Sequence, residues 1–217
     1  MTLTIVVEPH PLLDAGAFLI QLARPLGELA TPEAIAQLAR PDVRVPLEPV
    51  DPGKPVRDLL RHGGFKPAGR SKPASEYLVG AVVDGRFPQI NALVDTCNVV
   101  SLHAGLPISL VDLDRVEGAL AIRIAPPATS YVFNPSGQVI DASGLVCLFD
   151  ASGPTGTPVK DAQRTKTSAA TRAAIVIVWG TRALVGRTAA TTRWYRELVA
   201  KIDGASTQDV ALVQREL

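Results

Sequence analysis

The unbroken apolar run Ala-Ala-Ile-Val-Ile-Val-Trp at 173–179 constrains this chain more than any other segment. It is far shorter than the roughly 20 residues that a membrane-spanning helix needs. It is rich in β-branched residues and does not alternate, which suits a strand buried on both faces. Other strand signals precede it. Thr2–Val7 is β-branched and alternating, and Ala17–Ala23 is a second candidate. From Ala119 onward the period is two, with Leu120, Ile122 and Ile124 alternating with Ala121 and Arg123. Ser130–Phe133 and Gln138–Ile140 flank the turn Asn134–Pro135–Ser136–Gly137, and Leu145–Phe149 is a further strand.

Helical spacing lies on either side of these strands. Pro32–Arg40 reads as a short helix with Thr31 as its cap. Val56–His62 is closed by Gly63–Gly64, and a helix starting at Pro73 runs to Val83, before Asp84–Gly85. Ile90–His103 is the clearest helix, stopped by Gly105 and Pro107. Prolines 41, 46, 49, 52 and 55 make 41–55 an extended connection with room for a strand at Val43–Val45. Ala189–Ile202 should turn Tyr195, Leu198, Val199 and Ile202 inward. A last helix is expected after Ser206, with Ser206 and Asp209 as a capping box. Helices early and late around central strands give an α+β class with a packed sheet core. No repeat or linker divides the chain, so one domain is expected over 1–217.

Composition narrows the function classes. Apolar residues are 47% of the 217, enough for a sizeable core. The formal charge is only +1, so any polyanion-binding surface must be a local patch. Two cysteines exclude a disulfide scaffold and an all-cysteine metal site, and His10, His62 and His103 have no metal-binding spacing. No metal and no cofactor are therefore expected. The first residues lack a basic n-region, and Glu8 interrupts their apolar character, so no signal peptide is expected. The chain reads as a cytoplasmic monomer with no membrane partner and no obligate protein partner.

Charge is nevertheless uneven. Arg61, Lys66, Arg70 and Lys72 fall in a stretch without acids, and Arg164 and Lys166 open a second basic stretch running to Lys201. Residues 112–150 between them are acidic. If the two stretches fold together they form one positive face, suited to RNA phosphates. Within the clearest helix, Asn91, Asp95 and Asn98 recur at helical spacing. Asn and Asp are poor helix formers, so such a row points to a contact. Standard catalytic motifs are absent, and Gly153–Thr157 resembles a phosphate loop only loosely. Cys97 lies on the apolar side of its helix and reads as a packed thiol. His103, near the helix C-terminus, suits either the dipole or a ligand.

One stretch carries a family resemblance. Residues 87–125 begin Phe-Pro-Gln-Ile-Asn-Ala-Leu-Val-Asp-Thr-Cys-Asn-Val-Val-Ser-Leu and continue with Gly-Leu-Pro-Ile-Ser-Leu-Val-Asp-Leu-Asp. They resemble the tRNA-binding and editing domain of the β subunit of bacterial phenylalanyl-tRNA synthetase. Ile90, Asn91, Leu93–Asp95, Asn98, Gly105, Pro107, Asp112–Asp114 and Arg123 carry the match, and the asparagines, the Gly-x-Pro stop and the Asp-Leu-Asp keep their mutual spacing. Residues 55–180 look like free-standing relatives of that domain, with N-terminal strands and C-terminal helices as extensions. The resemblance implies a β-sandwich core layered against helices (β/β/α).

It also implies hydrolysis of the ester in mischarged tRNA, with Asn91, Asp95 and Asn98 as catalytic candidates and Cys97, Ser109 and His103 lining the substrate pocket. Arg61, Lys66, Arg70, Lys72, Arg164 and Lys166 would then hold RNA. The sequence departs from the family pattern at three places. Cys97 stands at a family threonine, Ser109 at a family histidine, and Ile177 at about the place of a family glutamate. Two readings stay open: an aminoacyl-tRNA deacylase acting in trans, or a non-catalytic module binding RNA or an amino-acid-like ligand.

Overall fold

The run at 173–179 forms the first seven residues of β9 (Ala173–Thr181), and every residue of that strand is buried. The structure is a computed structural model and describes residues 2–40 and 42–215. Pro41, counted above in the proline-rich connection, lies outside the described residues. β9 pairs antiparallel with β2 (Leu13–Leu22) on one side and with β3 (Ile108–Asp112) on the other. Beyond β2 come β10 (Ala205–Gln214), β1 (Leu3–Val7), β4 (Leu120–Ile124), β7 (Val146–Asp150) and β8 (Gly153–Gly156) in one eight-stranded sheet. β5 (Ser130–Val132) and β6 (Val139–Asp141) make a separate ribbon around the expected turn.

The sheet curls until its two edge strands meet. A Cβ on Gly156 of β8 would lie 3.0 Å from the Cβ of Ser109 on β3, so glycine permits this approach. The Ser109 hydroxyl donates to the Thr157 carbonyl at 3.2 Å, and Val111 bridges to Lys166. Large apolar side chains such as Ile5, Phe18, Ile122 and Trp179 are fully or almost fully buried in the core. Helices cover β9, β2, β3 and β10: α4 (Ala92–Ala104) lies against β3, and α5 (Arg187–Val199) against β2, β9 and β10. The shorter helices are α1 (Glu33–Ala36), α2 (Gly53–Arg61) and α3 (Ala74–Val83). The domain is therefore α+β, a curled sheet core packed against helices.

Several expectations need correction. The segment after Ser206 is not a helix. It is β10, parallel to β1 and antiparallel to β2. Thr31 does not cap α1, whose N-cap is Pro32; its hydroxyl donates to Asp95 at 2.6 Å instead. No strand forms at Val43–Val45, and the phosphate-loop look-alike at 153–157 is largely β8.

Candidate functional site

A cleft of about 560 Å³ opens between α4 and β3. Its α4 wall carries Asn91, Val94, Cys97 and Asn98, and its β3 wall Ile108 and Leu110. Phe133, at the end of the ribbon, and Lys160, Asp161 and Lys166, from the loop after β8, complete it. The sequence places these groups through two local devices. Gly105 takes a left-handed conformation (φ 68°) that ends α4 and turns the chain into β3. The α3 start is tied to the same loop, because Ala74 N donates to Pro158 O at 2.9 Å.

Within this cleft Asn98 has no side-chain hydrogen bond among the described residues. Its amide therefore faces the cleft unengaged. The polar row predicted around it is divided. Asn91 is the N-cap of α4, and its side-chain oxygen accepts from Val94 N at 3.0 Å. Asp95 is buried and lines a different cavity, of about 400 Å³, on the other side of residues 88–91. Its carboxylate accepts from Ile90 N at 2.7 Å as well as from Thr31. These bonds anchor the helix start, so the structure does not bring Asp95 and Asn98 to one cavity.

The predicted pocket residues separate in the same way. Cys97 lines the cleft, and burial pushes its thiol up to about 12, which keeps it protonated. Ser109 is fully buried on the opposite face of β3 from Ile108 and Leu110, where its hydroxyl accepts from Trp179 Nε1 at 2.8 Å. Ile177 is its register partner on β9 and equally buried. Of the three family departures, Ser109 and Ile177 thus face the core, and Cys97 alone borders the cleft. His103 lies elsewhere: its Nε2 is 2.8 Å from Leu38 O, and its ring packs edge-on to Trp194.

The basic residues divide too. Arg164 is held by Asp150 in a bidentate pair at 2.6 and 2.8 Å, and it also donates to the Gly153 and Pro154 carbonyls. Burial would raise the Asp150 carboxyl, but Arg164 and the Glu117 and Ser152 N–H groups overcome that and hold it below its ordinary value. Arg164 is therefore a structural cation. Arg61 pairs with Asp58 on α2, and Lys66 is exposed in the loop after it. Lys72 and Lys166, by contrast, reach one surface. Lys72 sits 4.5 Å and Lys160 5.1 Å from the Tyr77 ring centre. Lys160 is also 4.4 Å, and Lys166 5.4 Å, from that of Phe133. Lys160 is held below the ordinary lysine range by burial and by the charges of Arg70 and Lys166, and the Tyr77 hydroxyl donates to the carbonyl of Gly69, the residue before Arg70, at 3.2 Å.

Lys160, Asp161 and Phe133 were not singled out in the sequence. The available signal was the Lys160–Asp161 pair in a proline-bounded loop shortly before Lys166. Asp161 is the sole carboxylate of the cleft among the described residues. Its oxygens accept from Thr157 N and Leu110 N, each at 3.0 Å. Burial lifts its carboxyl to about 6, against the lowering effect of these bonds, of Ser109 and of Lys166.

A curled sheet packed against helices, with a helix-walled cleft at its edge, defines an α+β domain. The similarity is to the crystal structure of an N-terminal fragment of the phenylalanyl-tRNA synthetase β-subunit from Pyrococcus horikoshii, with a TM-score of 0.54 and 10% identity. It covers 99% of this chain and 53% of the fragment, so the chain spans about half the fragment's length. The chain belongs to the B3/4 domain family, whose model matches residues 68–203. It is a relative of the synthetase β-subunit domain, as residues 87–125 indicate. The comparison with curated proteins finds no match. Among the described residues no helix is long and apolar enough to cross a membrane.

Proposed function

We propose that this chain binds the aminoacyl end of a charged tRNA in the α4–β3 cleft and hydrolyses the ester linking amino acid to ribose. One observation carries this reading: a single cleft of about 560 Å³ gathers the unengaged Asn98 amide, the Asp161 carboxylate and the Lys160 and Lys166 ammonium groups. The cations, extended by Arg70 and Lys72 at the rim, suit the phosphates of a tRNA 3′ end. The apolar walls Val94, Cys97, Ile108 and Leu110 suit an amino-acid side chain. Asn98 supplies an amide donor for the oxyanion that develops when water attacks the ester carbonyl. Such a site gains its rate from orientation and charge stabilisation, without a protein nucleophile.

The test is ester loss from a panel of mischarged tRNAs incubated with the protein. At least one should be deacylated, and Asn98→Ala should slow that by about a hundredfold or more. Because Asn98 has no structural hydrogen bond to lose, the variant should stay folded, as circular dichroism would verify.

A second reading, a binding module without catalysis, is favoured by a specific observation. Asn91 and Asp95, two of the three residues in the polar row, are engaged in anchoring the α4 N-terminus. Retained tRNA binding with no ester loss from any charged tRNA would select it.

A further inference from the structure

We propose that Asp161 is the general base that activates the attacking water in this cleft; the inference rests on the ester-hydrolysis reading above. Its place in the cleft and its fixed orientation support this role. Asp161 lines the same cleft as Asn98. Thr157 N and Leu110 N fix its two oxygens at 3.0 Å each, one from the loop and one from β3. A carboxylate oxygen can accept more than one hydrogen bond, so these two N–H groups leave accepting capacity for water. Beneath the site, the buried Ser109 hydroxyl donates to the carbonyl of Thr157 at 3.2 Å and accepts from Trp179 Nε1 at 2.8 Å, which braces the residue whose N–H holds the carboxylate. No cation lies within ion-pair distance of Asp161 among the described residues, so the carboxylate is not neutralised as Asp150 is by Arg164.

The chemistry balances without a further reactant. The ionised Asp161 takes one proton from water as the water oxygen bonds to the ester carbonyl carbon. The resulting oxyanion accepts from the Asn98 amide. When it collapses, the bond from the carbonyl carbon to the ribose oxygen breaks, and that oxygen takes the proton held by Asp161. The products are tRNA with a free hydroxyl and an amino acid, whose new carboxyl loses its remaining proton to solvent.

A carboxyl lifted by burial to about 6 is ionised at neutral pH yet close enough to it to accept a proton in the transition state. The other groups facing it do not titrate in the same range. Cys97, Cys147, Tyr131 and Tyr195 are all pushed up by burial and stay neutral. Lys166, although lowered by burial, has its charge supported by Asp161.

Single-turnover deacylation of a mischarged tRNA from pH 5 to 8 tests the proposal, with binding of uncharged tRNA measured in parallel. The wild-type rate should rise about tenfold per pH unit below pH 6 and level above it. Asp161→Asn should cut the rate by about 10²–10⁴-fold and abolish the rise, with tRNA binding retained. An active wild type with a flat profile, or an Asp161→Asn variant with the wild-type rate and profile, overturns the base and leaves the hydrolase reading intact. A wild type inactive on every ester overturns both. Should Asp161→Asn fail to fold, the wild-type profile alone decides.

Discussion

Arg164 and Lys166 stand two residues apart and do opposite things. Arg164 clamps Asp150, whose side chain is fully buried, while 33% of its own side chain is exposed. Lys166 borders the cleft, with its ammonium on the Phe133 carbonyl. Removing Arg164 leaves a buried carboxylate without its cation. Arg164→Ala should therefore cost about 3 kcal/mol at neutral pH, the low end for breaking a buried pair because the arginine is partly exposed. The pH dependence has a definite sign. The folded-state carboxyl of Asp150 lies below its ordinary value, so the pair contributes stability above the ordinary 3.8 and loses it as pH falls through the lower folded value. The gap between wild type and Arg164→Ala, measured by urea unfolding, should be full above about pH 5 and shrink below about pH 4. An equal gap at pH 3 and pH 7 would contradict the account.

At the scale of elements, α5 is seated through glycine. A Cβ on Gly180 of β9 would lie 1.9 Å from Thr188 Oγ1 and 2.7 Å from the Asp14 carbonyl. Thr188, on α5, donates to that same carbonyl at 3.0 Å. Gly180→Ala must push the helix away from the sheet and should cost about 1–3 kcal/mol in thermal unfolding, as overpacking does. The way α5 and its neighbours read in the sequence shows what a linear pattern conveys. The α5 core residues Tyr195, Leu198 and Val199 follow helical spacing and are buried as expected. Ile90–His103 showed its helix and its Gly105 stop, and Asn98 stood out because amides are unusual in such a row. The strand β10 did not show. Its Ser206 and Asp209 match a cap, and only its pairing with β1 and β2, distant in sequence, decides for a strand. β8 is four residues with two glycines, too short for any period. Asp161 was hidden for the same reason: a lone loop aspartate gains its chemistry from Leu110 and Ser109, about fifty residues earlier, and from burial.

Across the whole molecule, nearly balanced charge is sorted by the fold. The α3 start is bound to the cleft loop, which brings Lys72 to the ring of Tyr77 that Lys160 also faces, and Tyr77 in turn bonds the Gly69 carbonyl next to Arg70. The proposed RNA binding should therefore weaken steeply with salt, each phosphate contact adding about 0.7–0.9 to the slope of a double-logarithmic plot. Replacing Arg70 and Lys72 together by alanine should reduce that slope by about one to two. An unchanged slope would remove this rim from the RNA path. The central claim is that the α4–β3 cleft receives the aminoacyl end of tRNA. It is tested most directly by NMR mapping with an aminoacyl-adenosine analogue whose ester is replaced by a non-hydrolysable amide. The account predicts saturable shifts at Asn98, Leu110, Lys160, Asp161 and Lys166, with none at His103. Saturable shifts confined to other surfaces, with those five residues unmoved, would contradict it.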